Sequence, residues 1–318
     1  MHADVLVIGA GIAGLAAAGE LSAAGARVLV LEARTRTGGR ICTLHPPQLD
    51  VPVELGAEFV HELSDGLRAI LERSGVRLIE LGGEHWTAEG GTLKRDDALF
   101  DRIGDVLATI ARQLPPDRSI ESALEDVSDV SAEDRRRVRQ YIEGYHAADV
   151  DRASAQAIVA AEGGGEAPGP AGRQYRLEGG YTSVIRVLCD DVPQAAVVTD
   201  ARVERIAWRR GAVHVTSSSA DGIVRDDTAS AAIVPVPIGV LFAAASAHGA
   251  IVIEPMPSAL AAAARALAMG SALRVALAFR EPFWTELRDA HGSSAQRVAF
   301  FHTASERLPV WWTQHPRT

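Results

Sequence analysis

Cysteine is scarce: Cys42 and Cys189 are the two in 318 residues. Two isolated cysteines make neither a disulfide framework nor a metal-ligand spacing. A stapled secreted scaffold and a structural metal site are therefore excluded, and a reducing, cytoplasmic compartment is the expectation. Long apolar runs are missing as well. No stretch reaches the roughly eighteen uninterrupted apolar residues of a membrane span, so no membrane partner is expected. The apolar start is not a signal peptide, because it lacks a basic n-region and carries Asp4 within it. Positive charge is in deficit: the net charge is −9, which argues against a general nucleic-acid surface. It is compatible with cationic substrates, although acidity also serves solubility. Internal repeats are absent, as are any Ser–His–Asp, paired-carboxylate or metal-ligand arrangements.

What is present is ordinary in bulk and specific at the N-terminus. The length suits about two domains, and 47% hydrophobic with 23% charged residues is a globular balance. Asp4-Val-Leu-Val-Ile8 reads as a buried strand. It runs into Gly9-Ala-Gly11-Ile12-Ala13-Gly14, which opens an Ala- and Leu-rich helix ending near Gly25. A second strand, Arg27-Val-Leu-Val-Leu31, ends on Glu32. This is the G-x-G-x-x-G spacing in its strand–turn–helix–strand context. Gly9 permits the tight turn, Gly11 lets backbone approach a pyrophosphate, and Gly14 lets the helix pack on the strands. The helix N-terminus offers N–H groups and a positive dipole end to phosphate. Glu32, eighteen residues past Gly14, stands where a carboxylate accepts from ribose hydroxyls.

Glu32-Ala33-Arg34 continues into Arg36-Thr-Gly38-Gly39-Arg40, a second glycine pair among arginines. These glycines let another backbone segment reach a cofactor, and Arg40 can donate two hydrogen bonds to phosphate. Together with Val53-Glu54-Leu55-Gly56-Ala57-Glu58-Phe59-Val60-His61, this stretch resembles the flavin-containing amine oxidase family. That family includes monoamine oxidases, polyamine oxidases and flavin-dependent histone demethylases. The resemblance implies FAD as cofactor. It implies a cofactor-binding set of Gly9, Gly11, Ile12, Ala13, Gly14, Glu32, Ala33, Arg34, Gly38, Gly39, Arg40, Gly56, Ala57 and Glu58, with the Val203 backbone on the adenine.

Along the rest of the chain, Ser64–Ser74 reads as a helix, Val76–Leu81 as a strand and Glu84–Arg95 as a hairpin that packs Trp86 across its strands. A helical face of Leu99, Ile103, Val106, Leu107 and Ile110 stops at Pro115-Pro116. Ser131 opens another helix, with Arg135-Arg-Arg137 read as an exposed basic patch. Tyr141–Asp149 resembles a segment of the family's substrate domain, and Tyr145 and His146 read as buried helix residues. Gly163–Gly172 is a loop. Gln174–Tyr181 resembles the motif that re-enters the nucleotide domain, and a helix then runs to about Asp191. Val197–Thr199, Val203–Trp208 and Val213–Ser217 are short strands at hairpin spacing, and Ala229–Val234 is another. Pro237, Gly239, Val240 and Leu241 match the family's helix start, with Pro235 as an addition. Ala259–Met269 is a helix, Gly270–Phe279 a strand, and Glu281-Pro-Phe-Trp284 a further family match.

The expected fold class is α/β: a Rossmann-like FAD-binding domain (1–80 and 174–250) interleaved with an α+β substrate domain (81–173 and 251–318). The implied activity is oxidation of a small-molecule amine: a hydride equivalent goes to flavin N5, the imine is hydrolysed, and dioxygen is reduced to peroxide. Two departures bear on it. Arg274 stands where better-studied members carry a lysine that holds a water beside N5. Arginine is larger and planar, and with Lys94 the only lysine in the chain the change also fits a compositional bias. Arg274 is the candidate catalytic residue. The family's pattern also continues past Thr318, which implies a chain lacking the C-terminal segment. The open alternatives are an amino-acid oxidase or desaturase of the same superfamily, or a non-catalytic fragment that needs a complementing C-terminal chain. A homodimer is a further partner expectation.

Overall fold

Val5–Ile8 and Val28–Leu31 hold no polar residue, and strands apolar on both faces belong inside a parallel sheet. The computed structural model describes residues 2–61, 63–163, 174–244, 246–305 and 307–317. In it these two runs lie parallel, Val5 opposite Val28 and Ile8 opposite Leu31. The elements in order are β1 (Val5–Ile8), α1 (Ile12–Ala23), β2 (Val28–Leu31), β3 (Thr43–Leu44), β4 (Val53–Glu54), α2 (Asp65–Ser74) and β5 (Leu78–Glu80). Then come β6 (Glu84–Glu89), β7 (Thr92–Arg95), α3 (Leu99–Ala111), α4 (Ile120–Asp126), α5 (Ala132–Tyr145), α6 (Ala155–Ala161), β8 (Tyr175–Leu177) and α7 (Thr182–Asp190). The remainder is β9 (Val197–Val198), β10 (Arg202–Arg209), β11 (Ala212–Ser218), β12 (Val224–Ala229), β13 (Ala231–Ile233), α8 (Ile238–Leu241), β14 (Val252–Glu254), α9 (Ser258–Ala266), β15 (Val298–Thr303) and β16 (Val310–Trp312). The chain divides into two units. Unit 1 is Met1–Glu58, Leu63–Arg77 and Leu177–Met269; unit 2 is Phe59–Glu62, Leu78–Arg176 and Gly270–Thr318.

Unit 1 carries a parallel sheet in the order β13-β1-β2-β9. Helix α1 buries Gly14, Leu15, Ala18 and Gly19. A second sheet, β12-β11-β10-β14, shares the core: Leu6, Ile8, Leu29 and Leu31 pack in one cluster with Val203, Ile206 and Val215. Two expectations are corrected here. Val197-Val198 is not a hairpin partner of the following strand but lies parallel to β2, Val30 opposite Val197. The fully buried β2 needs an outer neighbour for its peptide groups, and β9 supplies it. The apolar run 229–234 is not one strand either. It ends β12 and begins β13 in a different sheet, with Ser230 N–H on the Asp4 carbonyl at the switch.

Unit 2 carries the sheet β16-β15-β6-β7 and helices α3 to α6 around Ile110, Ile120, Leu124, Val138 and Ile142. Gly90 and Gly91 both take positive φ, which the two-residue β6–β7 hairpin requires. Lys94 lies exposed on β7, opposite Thr87. Ser119, Ser131 and Ser154 each cap a helix through the side-chain oxygen, which satisfies a first-turn amide. The loop read at Gly163–Gly172 lies, beyond Gly163, outside the described residues. Two corrections fall in this unit. Arg137 is not part of an exposed patch: it is buried and donates to the Thr303 carbonyl (3.2 Å) and the Gln140 amide oxygen (3.3 Å). Gly270–Phe279 joins no sheet among the described residues, and Leu273 (83% exposed), Val275, Leu277 and Phe279 stand in solvent. Alternation makes a strand only when a neighbour accepts its peptide groups.

Trp86 anchors the unit 2 sheet, fully buried against Ala295 and Val298, its indole N–H on Glu84 Oε2 at 3.0 Å. Trp86→Ala is expected to cost about 3–5 kcal/mol, read as a lowered urea midpoint by circular dichroism.

Candidate functional site

The first part of the site is backbone laid on backbone in unit 1. Gly9 (φ 111°) ends β1 and donates its N–H to the Leu31 carbonyl at 2.8 Å. A Cβ at Gly14 would stand 2.0 Å from the Gly9 carbonyl oxygen, so no other residue fits there. Pro235 lies against the same glycine, with Cγ 3.4 Å from that Cβ position, and Val236 flanks Gly9. The extra proline is thus part of the packing behind the turn. The first helical bond of α1 is Leu15 N–H to the Gly11 carbonyl, which leaves the amides of Ile12, Ala13 and Gly14 without an intrahelical acceptor. Gly11 gives no side-chain cap, the first turn holds no acid, and nothing lies within 4 Å of the Gly11 Cβ position. This is an open, positively polarised helix end suited to an anion.

Glu32 braces the turn from below. It is buried, its Oε2 accepting from Ala10 N–H (2.8 Å) and its Oε1 from Arg34 N–H (2.9 Å). Each oxygen keeps a second acceptor position, which suits the hydroxyl donors of a ribose. The second glycine segment closes on the first: Gly38 N–H donates to the Ala10 carbonyl at 2.8 Å, and a Cβ on Gly39 would approach Gly11 Cα to 3.3 Å. Sequence reasoning missed Arg36 as the staple of this loop. Its guanidinium donates to the carbonyls of Thr37, Gly39 and Ile41, acceptors that no residue type announces. Arg40, Ala33 and Arg34 remain exposed. A third segment lies on the second, where a Cβ on Gly56 would stand 1.8 Å from the Arg40 carbonyl oxygen and Ala57 N–H donates to that oxygen. Glu58 is buried beside it in the chain. Glu54 was also missed: its buried carboxylate takes the Thr43 hydroxyl (2.8 Å) and the Tyr181 amide (2.6 Å). Val203 is buried on β10 at a register shift between Val203 and Arg205, the kind of bulge that re-aims backbone groups. The open helix end, the buried acid and the exposed Arg40 fit a dinucleotide.

Arg274 belongs to unit 2. It is half-buried, its guanidinium 4.8 Å from the Trp312 ring centroid. Trp312 in turn lies 5.8 Å from Phe59, one member of a closed circuit of ring contacts in that unit: Phe59–His61–Tyr145–Tyr141–Phe100–His85–Phe300 and back to Phe59, with centroids 4.8 to 6.1 Å apart. None of the seven rings is fully buried. Tyr145 is 46% exposed, which corrects its reading as a buried helix residue; it sits on the last turn of α5, where the helix face runs out. His85, within the circuit, also has its Nδ1 3.1 Å from His302 Nε2. Burial pulls both imidazoles down, His85 to about 4 and His302 to about 3, against the partial pull of Asp96 and Asp97.

A βαβ turn closed by two further glycine segments over a terminal acid defines a dinucleotide-binding protein. The chain belongs to the family described as flavin containing amine oxidoreductase, whose sequence profile matches residues 12–316; its cofactor is FAD. Polyamine oxidase 3 of Oryza sativa subsp. japonica is 31% identical over 88% of this chain and 60% of its own length. Lysine-specific histone demethylase 1 homolog 2 of the same plant is 29% identical over 96% of this chain and 42% of its own. Among solved structures, a double mutant of putrescine oxidase superposes with a TM-score of 0.72 at 23% identity, covering 99% of this chain and 73% of that one, a likeness of fold. The chain thus spans about 60% of the length of the polyamine oxidase relative.

Glu32→Gln replaces one accepting oxygen with an NH2 donor facing a backbone N–H, and is expected to raise the FAD dissociation constant at least about tenfold, measured by flavin fluorescence titration. The two histidines give a pH dependence. Their folded pKa values lie below the ordinary histidine value, so the unfolded chain binds more protons and stability falls as pH drops from about 7 toward about 4. Urea midpoints across that range should show the fall, and His302→Gln should flatten it.

Proposed function

We propose that this chain handles FAD and substrate in an FAD-dependent oxidase of aliphatic di- or polyamines, with unit 1 as the FAD-binding domain and unit 2 as the substrate domain. The observation that carries the reading is the set of three glycine segments above Glu32, in which a Cβ on Gly14 or Gly56 would stand 2.0 or 1.8 Å from a backbone carbonyl oxygen. A plain α/β sheet has no use for backbone held that close. The names of the relatives, polyamine oxidase and putrescine oxidase, support the substrate class.

The amides of Ile12, Ala13 and Gly14 and the exposed Arg40 hold the pyrophosphate, the Glu32 carboxylate accepts from the ribose, and the Val203 backbone meets the adenine. Bound there, FAD supplies a two-electron acceptor for a C–H bond. The ring circuit of unit 2 gives the methylene chain an apolar wall and keeps water from it. Arg274, its guanidinium laid on Trp312, is the donor that positions the reacting end. In net terms the amine loses two electrons and two protons to become an imine, dioxygen becomes hydrogen peroxide, and water hydrolyses the imine. A complementing chain or second copy as partner belongs to the same proposal.

The test is anaerobic addition of 1,4-diaminobutane to the FAD-loaded chain. Loss of the oxidised-flavin band, with one peroxide formed per amine on admitting air, is the expected outcome, and Arg274→Ala should slow the loss by about tenfold or more. Retained FAD that no amine reduces would sink the activity. Reduction by amino acids instead would favour the reading in which Arg274 binds a carboxylate.

A further inference from the structure

Because the segment 270–279 joins no sheet among the described residues, no ladder fixes its register. Two contacts within unit 2 hold its first half. One is the Arg274 guanidinium on the Trp312 ring. The other is at Gly270, where a Cβ would stand 1.7 Å from the Ala147 carbonyl oxygen, 2.8 Å from its carbon and 3.4 Å from the Ala147 Cβ. The obstacle is backbone, which cannot swing aside as a side chain can. Gly270 takes no left-handed φ, so close approach alone is what requires glycine there.

Ala147 meets this contact from a special conformation of its own. It follows His146, the C-cap of α5, and takes φ 51°, which is uncommon for alanine. The next amide, Ala148 N–H, turns back onto the Ile142 carbonyl at 3.3 Å. The helix exit is thus folded over its own last turn, with the Ala147 carbonyl against Gly270. Strain of this kind persists where the surrounding structure over-determines it. Between the two contacts Ser271, Ala272 and Leu273 are exposed. Arg274 therefore sits on a tether of four residues. Its near end is pinned two residues past Tyr145 of the ring circuit, and its far end lies on Trp312, which touches Phe59 of the same circuit.

We propose that Gly270 is a positioning residue: its contact with Ala147 fixes the length of chain that reaches Arg274 and so sets the guanidinium on Trp312, beside the rings. The inference rests on the reading of Arg274 as the donor that positions the reacting end. The test is stopped-flow anaerobic reduction of the FAD-loaded chain by 1,4-diaminobutane, with crystal structures of the wild type and of Gly270→Ala. Gly270→Ala is expected to lower the limiting rate of flavin reduction at least about tenfold at unchanged flavin content, and to take Arg274 off the Trp312 ring. The slowing should vanish in the Arg274→Ala background, because the two residues act as one unit. One glycine inserted between Ser271 and Ala272 lengthens the tether in its exposed stretch without any clash, and should cost a similar loss. An Arg274 that keeps its place on Trp312 in Gly270→Ala, a slowing that adds in full to that of Arg274→Ala, or an insertion without effect would overturn the proposal. A wild-type flavin that no amine reduces sinks the oxidase reading alone, since the place of Arg274 in the two crystal structures is read without turnover.

Discussion

Close approach of peptide to peptide is the constraint on which the rest of unit 1 depends. The carbonyl of Gly9 stands where a Gly14 side chain would be, and the carbonyl of Arg40 where a Gly56 side chain would be. Gly39 presses on Gly11 in between. Three loops from different parts of the first sixty residues are thereby stacked without side chains separating them, so their amides and carbonyls face one small volume. Glu32 completes the arrangement because its two oxygens tie the first loop to the strand end that follows. A positive helix end and a buried acceptor tied to the same turn are a recognition surface for phosphate and sugar.

Unit 2 solves a different problem by different means. Its hydrophobic cluster is ordinary helix packing capped by serines. The rings next to it are only partly covered, and charged groups are set among them: Arg274 on Trp312, Arg176 over Phe59, Glu162 under Tyr141. Half-covered aromatics beside fixed charges provide both an apolar path and orientation, which polarity alone would not.

How much of this was legible in the sequence follows from chain distance. The βαβ unit was, because its glycines, apolar runs and terminal acid lie within thirty-two residues and each has a local cause. The hairpin over Gly90-Gly91 and the capped helices were legible for the same reason. Arg36 was not, since its acceptors are backbone carbonyls that carry no residue identity. The contact of His61 with Tyr145 joins residues eighty-four positions apart, and nothing in their spacing announces it. Arg137 misled because a run of three arginines reads as solvated, whereas the last of them found a carbonyl and an amide inside. The segment 270–279 misled in the opposite sense: its alternation is strand-like, yet no described strand stands beside it.

The exposed β7 edge carries the only ε-amine in the chain. Amine-directed acylation therefore has one side-chain target, and a dye coupled at Lys94 marks unit 2 at a single defined point. The charge elsewhere is guanidinium, inert to the same reagent. Such a label would report on the β6–β7 hairpin of unit 2 alone, since the glycine loops of unit 1 carry no lysine.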